Sequence, residues 1–248
     1  MQLKQLCDFC DELLKVNDFK DYCPNGLQVE SSSEVNRIVC GVTASQALID
    51  AAIAQQADTL IVHHGYFWKG ETSPITGFKG RRIASLLRNN INLLAFHLPL
   101  DAHAEVGNNV QLARRMGWPI ESQFGEQGIV FQGTLPEALP LSELATEIDA
   151  KLDTKALVIA AGDHPIRRLA WCTGAAQGFI GAAAEQGVDA FVSGEISENT
   201  VHFAREMGVH YIAAGHHATE RYGVQALAAA IADRFDIEQQ FIDIDNPV

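Results

Sequence analysis

Three short clusters of histidine and acid carry the residue types best suited to metal chemistry. They are His63-His64 at the end of an aliphatic run, His97-x3-Asp101 further along, and His216-His217-x2-Glu220 near the C-terminus. Neutral imidazole and carboxylate are borderline-to-hard ligands that suit zinc, iron, manganese or nickel, and several of them converging can hold two ions at once. The pattern predicts a dinuclear metal site. Any one of the nine histidines taken alone is more often a solvated or hydrogen-bonded structural residue than a ligand, so it is the grouping that carries the reading. His216 and Glu220 are four residues apart, a spacing that puts both on one face of a helix. A carboxylate in a first helical turn also offsets the repulsion between a cation and the positive end of the macrodipole, which makes Glu220 the candidate to bridge two ions.

These groups need elements to hold them. The run Ala57-Asp-Thr-Leu-Ile-Val62 reads as a buried strand, placing His63 and His64 at its terminus. Adjacent strand residues point to opposite faces, so the pair calls for either two ions or a sharp bend after the strand. Apolar Val224, Leu227, Ala228, Ile231 and Phe235 predict a helix over 218–235.

An internal repeat organises the rest. Residues 37–62 align without a gap on 168–193, with Arg37, Ala44, Gln46, Ile49, Ala51, Ala52, Gln55 and Asp58 meeting identical partners at Arg168, Ala175, Gln177, Ile180, Ala182, Ala183, Gln186 and Asp189. In that register His64 falls opposite Glu195. Past the next helix, 91–101 resembles 210–220, a strand followed by His-x3-acid in both copies. Each half is then strand, helix, strand, helix, strand, which is an α/β pattern, and ligands in such units bind beyond the carboxyl ends of the strands. An N-terminal helix over 1–16 and a turn at 22–26 precede the first repeat. A helix follows Gly107-Asn-Asn109, residues 125–163 look like an inserted strand, helix, strand unit, and 239–244 close as a strand. The order predicts a discontinuous metal-binding α/β domain, 1–126 with 214–248, interrupted by an inserted α/β domain, 127–213.

Composition bounds the function. A chain of 248 residues with 47% hydrophobic content can bury one large core or two smaller ones. The sequence shows no signal peptide and no apolar run near the length of a membrane span, which predicts a cytoplasmic protein. Five cysteines, an odd number, argue against a disulfide framework and fit a reducing compartment, and Cys7-x2-Cys10 lacks the second pair that would complete a zinc site. A net charge of −13 weighs against binding extended nucleic acid. A small nucleotide remains compatible, because bound divalent ions dominate the field near themselves.

Several ordered motifs then point to one family. Asp21-Tyr-Cys-Pro-Asn-Gly-Leu-Gln-Val29, Gly41-Val-Thr-Ala-Ser45, Val62-His-His-Gly-Tyr-Phe-Trp-Lys-Gly70, His97-Leu-Pro-Leu-Asp-Ala-His103 with Gly107-Asn-Asn109, Val192-Ser-Gly-Glu-Ile-Ser-Glu198 and Gly215-His-His-Ala-Thr-Glu220 span nearly the whole chain. Together they resemble the family of Ngg-interacting-factor-three-like proteins, often labelled GTP cyclohydrolase I type 2 homologs, and most closely its bacterial YbgI-type members. The resemblance implies two interlinked α/β domains, a toroidal homohexamer with sites facing an inner cavity, and two divalent ions per chain. It implies His63, His64, Asp101, His216 and Glu220 as ligands with Glu220 bridging, and His97 and Glu195 near the ions without ligating them. The chemistry expected of such a site is metal-assisted hydrolysis of a small molecule, a nucleotide- or pterin-like ring or a phosphoester, with Glu195 or His97 as general acid or base. Glu195 could instead cap the helix over 197–207. A metal-binding or metal-delivery protein without turnover is the alternative, and five ligands for two ions favour the enzyme by leaving coordination positions open.

Overall fold

The computed structural model describes all 248 residues. The elements begin with helix α1 (Leu3–Leu14), strands β1 (Gly26–Val29) and β2 (Arg37–Thr43), α2 (Gln46–Ala54), β3 (Thr59–His64), α3 (Gly77–Arg88), β4 (Asn92–Ala95) and α4 (Leu98–Ala102). They continue with α5 (Asn108–Met116), β5 (Ser122–Phe124), β6 (Val130–Leu139), α6 (Leu141–Leu152), β7 (Leu157–Ile159), β8 (Ile166–Cys172), α7 (Ile180–Glu185), β9 (Ala190–Ser193), α8 (Glu198–Met207), β10 (His210–Ala213), α9 (His216–Phe235) and β11 (Glu238–Phe241). No helix is long and apolar enough to cross a membrane. The fold is α/β with two sheets, in two compact units.

The first unit comprises Met1–Gly107 and Gly223–Asp245. Its five-stranded sheet has the order β1-β4-β3-β2-β11, parallel except where β1 pairs antiparallel with β4. Strand alternation divides the core between the two faces. Ile38, Cys40, Ile61 and Leu94 share one cluster with Leu3, Leu6, Cys10 and Leu14 of α1 and Val224, Leu227, Ala228 and Ile231 of α9. Val39, Leu60, Val62 and Leu93 share the other with Leu48, Ile49 and Ala52 of α2 and Ile83 and Leu86 of α3. A sheet covered on both faces needs unbroken aliphatic strands, which is why β3 reads Thr-Leu-Ile-Val before its two histidines.

The second unit comprises Asn108–Tyr222 and Asn246–Val248. Its six strands run β5-β6-β8-β9-β10-β7, with β8, β9 and β10 parallel and the remaining pairings antiparallel. Trp171 is fully buried at the core, its ring centroid 5.3 Å from that of Trp118. Val110, Leu112, Ala113 and Met116 of α5 belong to this core, as do Ala218 and Tyr222 in the first turns of α9. Those contacts put the unit boundaries at Gly107/Asn108 and Tyr222/Gly223, where the sequence suggested 126/127 and 213/214. Chain order alone does not reveal which core a helix's apolar face will join.

The repeat appears as β2-α2-β3-α3-β4 and β8-α7-β9-α8-β10. Asp58 and Asp189 perform the same task in each. The Asp58 carboxylate accepts from the amides of Asn36 and Arg37, and the Asp189 carboxylate from those of Arg167 and Arg168. In the third strand the correspondence slips by one residue. Asn92 stands opposite Thr59 and His210 opposite Ala190, so His97 matches Gly215, not His216. Aligning like residues favoured the histidine match, whereas the hydrogen-bond ladder sets the spatial one.

One close approach in the second unit depends on a missing side chain. A Cβ on Gly133 of β6 would lie 1.8 Å from the backbone oxygen of Pro119. Gly133→Ala should therefore destabilise the protein by about 2 kcal/mol, lowering Tm by roughly 4–8 °C. Gly178→Ala, where an added Cβ meets nothing within 4 Å, should leave Tm near wild type. Differential scanning fluorimetry of both variants makes the comparison, and equal melting temperatures would contradict it.

Candidate functional site

In the first unit, the rings of His63 and His64 lie 4.6 Å apart although the residues are adjacent at the end of β3. The strand ends there and the chain bends at Tyr66, after Gly65, on which a Cβ would come within 2.2 Å of Gln28 Oε1 and 2.6 Å of Ala95 Cβ. Gln28 clamps the bend, its Oε1 accepting from the Tyr66 amide at 2.7 Å and its Nε2 donating to the Tyr66 carbonyl at 3.2 Å. Two residues after Gly65, Phe67 holds φ at +66°, a left-handed conformation that is costly for a bulky side chain. The turn sets the Trp68 ring edge-on to His97, with centroids 4.9 Å apart and planes at 85°. Donor atoms of His63, His64 and His97 all lie within 4.8 Å of one another.

Hydrogen bonding sets which ring nitrogen each histidine presents. His63 is fully buried and its Nδ1 lies 2.8 Å from the Phe96 carbonyl, an acceptor only, so Nδ1 carries a proton and Nε2 is the nitrogen turned towards Asp101. Nε2 is 3.4 Å from Oδ1 of Asp101, which sits in the single turn of α4. His64 Nδ1 is 3.2 Å from the Thr43 hydroxyl. The His97 Nδ1 donates to Oδ1 of Asp21 at 2.7 Å, and its backbone amide donates to Asn25 Oδ1 at 2.7 Å. Burial alone would raise the Asp21 carboxyl, yet hydrogen bonds and charge from His97, with further donors from Asn25 and Tyr22, hold it at about 2. Cys23 joins Asp21 and His97 in a second donor cluster, but burial and then the Asp21 charge keep its thiol protonated, at about 12, which suits packing better than soft-metal binding.

In the second unit the chain leaves β9 through Gly194, where a Cβ would press to 2.7 Å from His216 Cα. The backbone carbonyl of Glu195 accepts from Ser193 Oγ at 2.9 Å and from the buried Tyr211 hydroxyl at 2.6 Å. Glu195 Oε1 then accepts from His216 Nδ1 at 2.7 Å. On the other side of the ring, His216 Nε2 is 3.0 Å from Oε2 of Glu220, a side chain only 3% exposed. Burial opposes a charge on His216, but Glu220 and Glu195 together raise it to about 9, so at neutral pH it bridges two carboxylates as an imidazolium. A cation taken up at Nε2 would replace that proton, and protonation and metal uptake would compete. Gly174 keeps the surroundings open, because its Cβ would fall 2.0 Å from Glu220 Oε1 and 3.1 Å from His216 Nε2. The donors fit a divalent ion in type, all imidazole and carboxylate with no soft ligand.

Of the residues expected to matter, the first unit brings His63, His64, His97 and Asp101 together, and the second brings Glu195, His216 and Glu220 together. Glu195 is committed to His216, and Ser197 precedes α8 as its N-cap residue. His103 is a loop organiser whose Nδ1 accepts from the amides of Glu105 and Val106, and burial lowers its pKa. His217 is buried, and its amide donates to the Val248 carbonyl. Sequence reasoning missed Asp21, Asn25 and Trp68 as individuals, although all three fall within quoted motifs. An acid four residues before an asparagine in a Pro-Asn-Gly turn was the available signal.

The Asp21 carboxyl is depressed from an ordinary 3.8 to about 2, and its side chain is 3% exposed. A lowered carboxylate contributes stability above its unfolded pKa and loses it as pH falls through the folded value, here a contribution of about 2 kcal/mol. Asp21→Asn should therefore unfold at lower urea concentration than wild type at pH 7. The gap should narrow as pH drops from about 5 towards 2, and a pH-independent gap would show that the charge plays no part.

The sequence-family profile described as Duf34/NIF3 (NGG1p interacting factor 3) matches residues 1–247. A Pseudomonas aeruginosa protein named GTP cyclohydrolase 1 type 2 homolog is 54% identical over 99% of this chain and 98% of its own length. Among solved structures, protein ybgI, described as of unknown function, superposes with a TM-score of 0.97 at 49% identity, and TTHA1606 from Thermus thermophilus with 0.90 at 36%, each covering 100% of both chains. The motifs, the paired α/β units and the imidazole and carboxylate clusters agree with these likenesses: the chain belongs to the Duf34/NIF3 family.

Proposed function

We propose that this protein is a dinuclear metal-dependent hydrolase acting on a small molecule, of nucleotide- or pterin-like character. The ligands in this reading are His63, His64, Asp101, His216 and Glu220, with Glu220 shared by both ions. The observation that supports it most is that His63, His97 and His216 each commit Nδ1 to an oxygen acceptor, the arrangement by which metal-site histidines are oriented and made better donors at Nε2. Divalent ions held there would supply Lewis acidity and lower the pKa of water towards roughly 7. His97 then serves as the acid-base group, since its ring lies 5.2 Å from that of His63 and is backed by a carboxylate. Glu195, already engaged with His216, serves to orient that ligand. The name of the Pseudomonas relative suggests purine nucleotides as the first substrates to try, and the pterin-like ring follows from the same label.

The expected assembly is a cytoplasmic ring of six chains. Five cysteines, four of them buried and none in a disulfide, fit a reducing compartment. Native mass spectrometry of the metal-loaded protein should show six copies of a 27.0 kDa chain and two divalent ions per chain. Glu220→Ala should impair both ions, and His64→Ala mainly one. A monomer would remove the ring from this proposal, and one ion per chain in fully loaded protein would remove the dinuclear site.

Glu195→Gln separates orienting from proton transfer. An orienting partner of a metal ligand should lower metal affinity by about 10- to 100-fold when lost, as read by competition titration with a chelating dye. A direct general base would leave affinity intact and lower turnover by about 10²- to 10⁴-fold, measured on whichever nucleotide or cyclic amide is found to react. A protein that binds two ions but turns over no member of a broad panel would favour metal delivery over hydrolysis.

A further inference from the structure

Four donors converge on the Asp21 carboxylate, and they divide evenly. Oδ1 accepts from the Tyr22 amide at 2.6 Å and from His97 Nδ1 at 2.7 Å. Oδ2 accepts from Asn25 Nδ2 at 2.8 Å and from the Leu98 amide at 2.9 Å. None of the two amides and the asparagine NH2 can exchange donor for acceptor. Asn25 is fixed in orientation because its Oδ1 accepts from the His97 amide. His97 is the one member of the set with a choice of tautomer, and the carboxylate makes that choice for it. The Trp68 ring stands edge-on to the imidazole, with centroids 4.9 Å apart.

We infer that Asp21 is a positioning residue, whose carboxylate holds His97 in the tautomer protonated at Nδ1 so that Nε2 carries the lone pair. The inference deepens the hydrolase reading, in which His97 is the acid-base group, by naming what orients that group. The ring so held lies 5.2 Å from the His63 ring and 5.9 Å from the His64 ring. Nδ1 is occupied by Asp21, which leaves Nε2 as the nitrogen with which His97 can act on a bound molecule.

The four-donor geometry makes a sharp distinction between an acid and its amide. In Asp21→Asn, an oxygen at the Oδ2 position keeps the bonds from Asn25 and Leu98 and turns the NH2 towards Tyr22 and His97. His97 can answer by moving its proton to Nε2 and accepting at Nδ1. That orientation leaves one donor, the Tyr22 amide, unmatched, whereas the opposite one would set the NH2 against both Asn25 and Leu98, two donors that cannot adapt. The amide should therefore invert the tautomer while keeping the side-chain volume.

Long-range proton–nitrogen correlation spectra of the full chain, labelled with nitrogen-15 histidine and stripped of metal by chelation, read the tautomer directly. Spectra are recorded at a pH where the ring is neutral, and His97→Gln supplies the assignment. Wild type should show His97 protonated at Nδ1, Asp21→Asn should show it protonated at Nε2, and Asn25→Ala, which leaves the carboxylate in place, should keep the wild-type form. Protonation at Nε2 in wild type overturns the inference, and so does an unchanged tautomer in folded Asp21→Asn. Loss of the Nδ1 proton in Asn25→Ala as well would overturn it by showing general loosening. Should Asp21→Asn fail to fold, the wild-type and Asn25→Ala spectra still decide. The tautomer is read without metal or substrate, so a protein that turns nothing over would sink the hydrolase reading and leave this one standing.

Discussion

Imidazole pinned through Nδ1 to an oxygen is the interaction on which the site residues depend. A histidine side chain can rotate and can place its proton on either nitrogen, and either freedom would scatter the donors. Here a backbone carbonyl fixes His63, and carboxylates fix His97 and His216. The carboxylates are held in turn. Asp21 is braced by Asn25 and two backbone amides, and the backbone of Glu195 is braced by Ser193 and Tyr211. Each unit thus holds its ring nitrogens with oriented dipoles, which would reduce the reorganisation that binding a cation requires.

The sheets supply the platform for those dipoles. Apart from Thr59 and Asn92 at their starts, β3, β4 and β9 carry apolar side chains until they end, so polar groups collect where these strands give way to turns. Glycine does necessary work at those ends. Gly65 makes room for Gln28 and Ala95 where the chain leaves β3, Gly194 lets its chain pass close to α9, and Gly174 leaves Glu220 and His216 uncrowded. Space is the constraint in each case, since a single methyl group would meet a neighbouring atom well inside contact distance.

Much of this was legible in the residues. Aliphatic runs identified the strands that end at His63-His64 and near Glu195, the repeat identified matching strand, helix and strand blocks, and motif likeness pointed to the family. What stayed hidden depended on information that periodicity does not contain. The assignment of α5 and the start of α9 to the second unit turns on which core their apolar faces join, and the one-residue slip between His97 and His216 turns on a hydrogen-bond ladder. The partnership of Asp21 with His97 links residues far apart in the chain, and nothing local to either marks the other. The rings of His63 and His64 lie 4.6 Å apart at the end of β3, a closeness that regular strand alternation does not anticipate.

Phe67 is the residue whose backbone runs most plainly against its own preference in this region. An effort to make the protein more heat-resistant would single it out, since glycine accepts a left-handed conformation readily and phenylalanine does not. That exchange would also unlock the peptide leading into Trp68, and with it the aromatic edge against His97. Thermal robustness and the rigidity of this histidine wall are therefore opposed at one position, and a variant library ranked by melting temperature alone would select against the very wall that it meant to preserve.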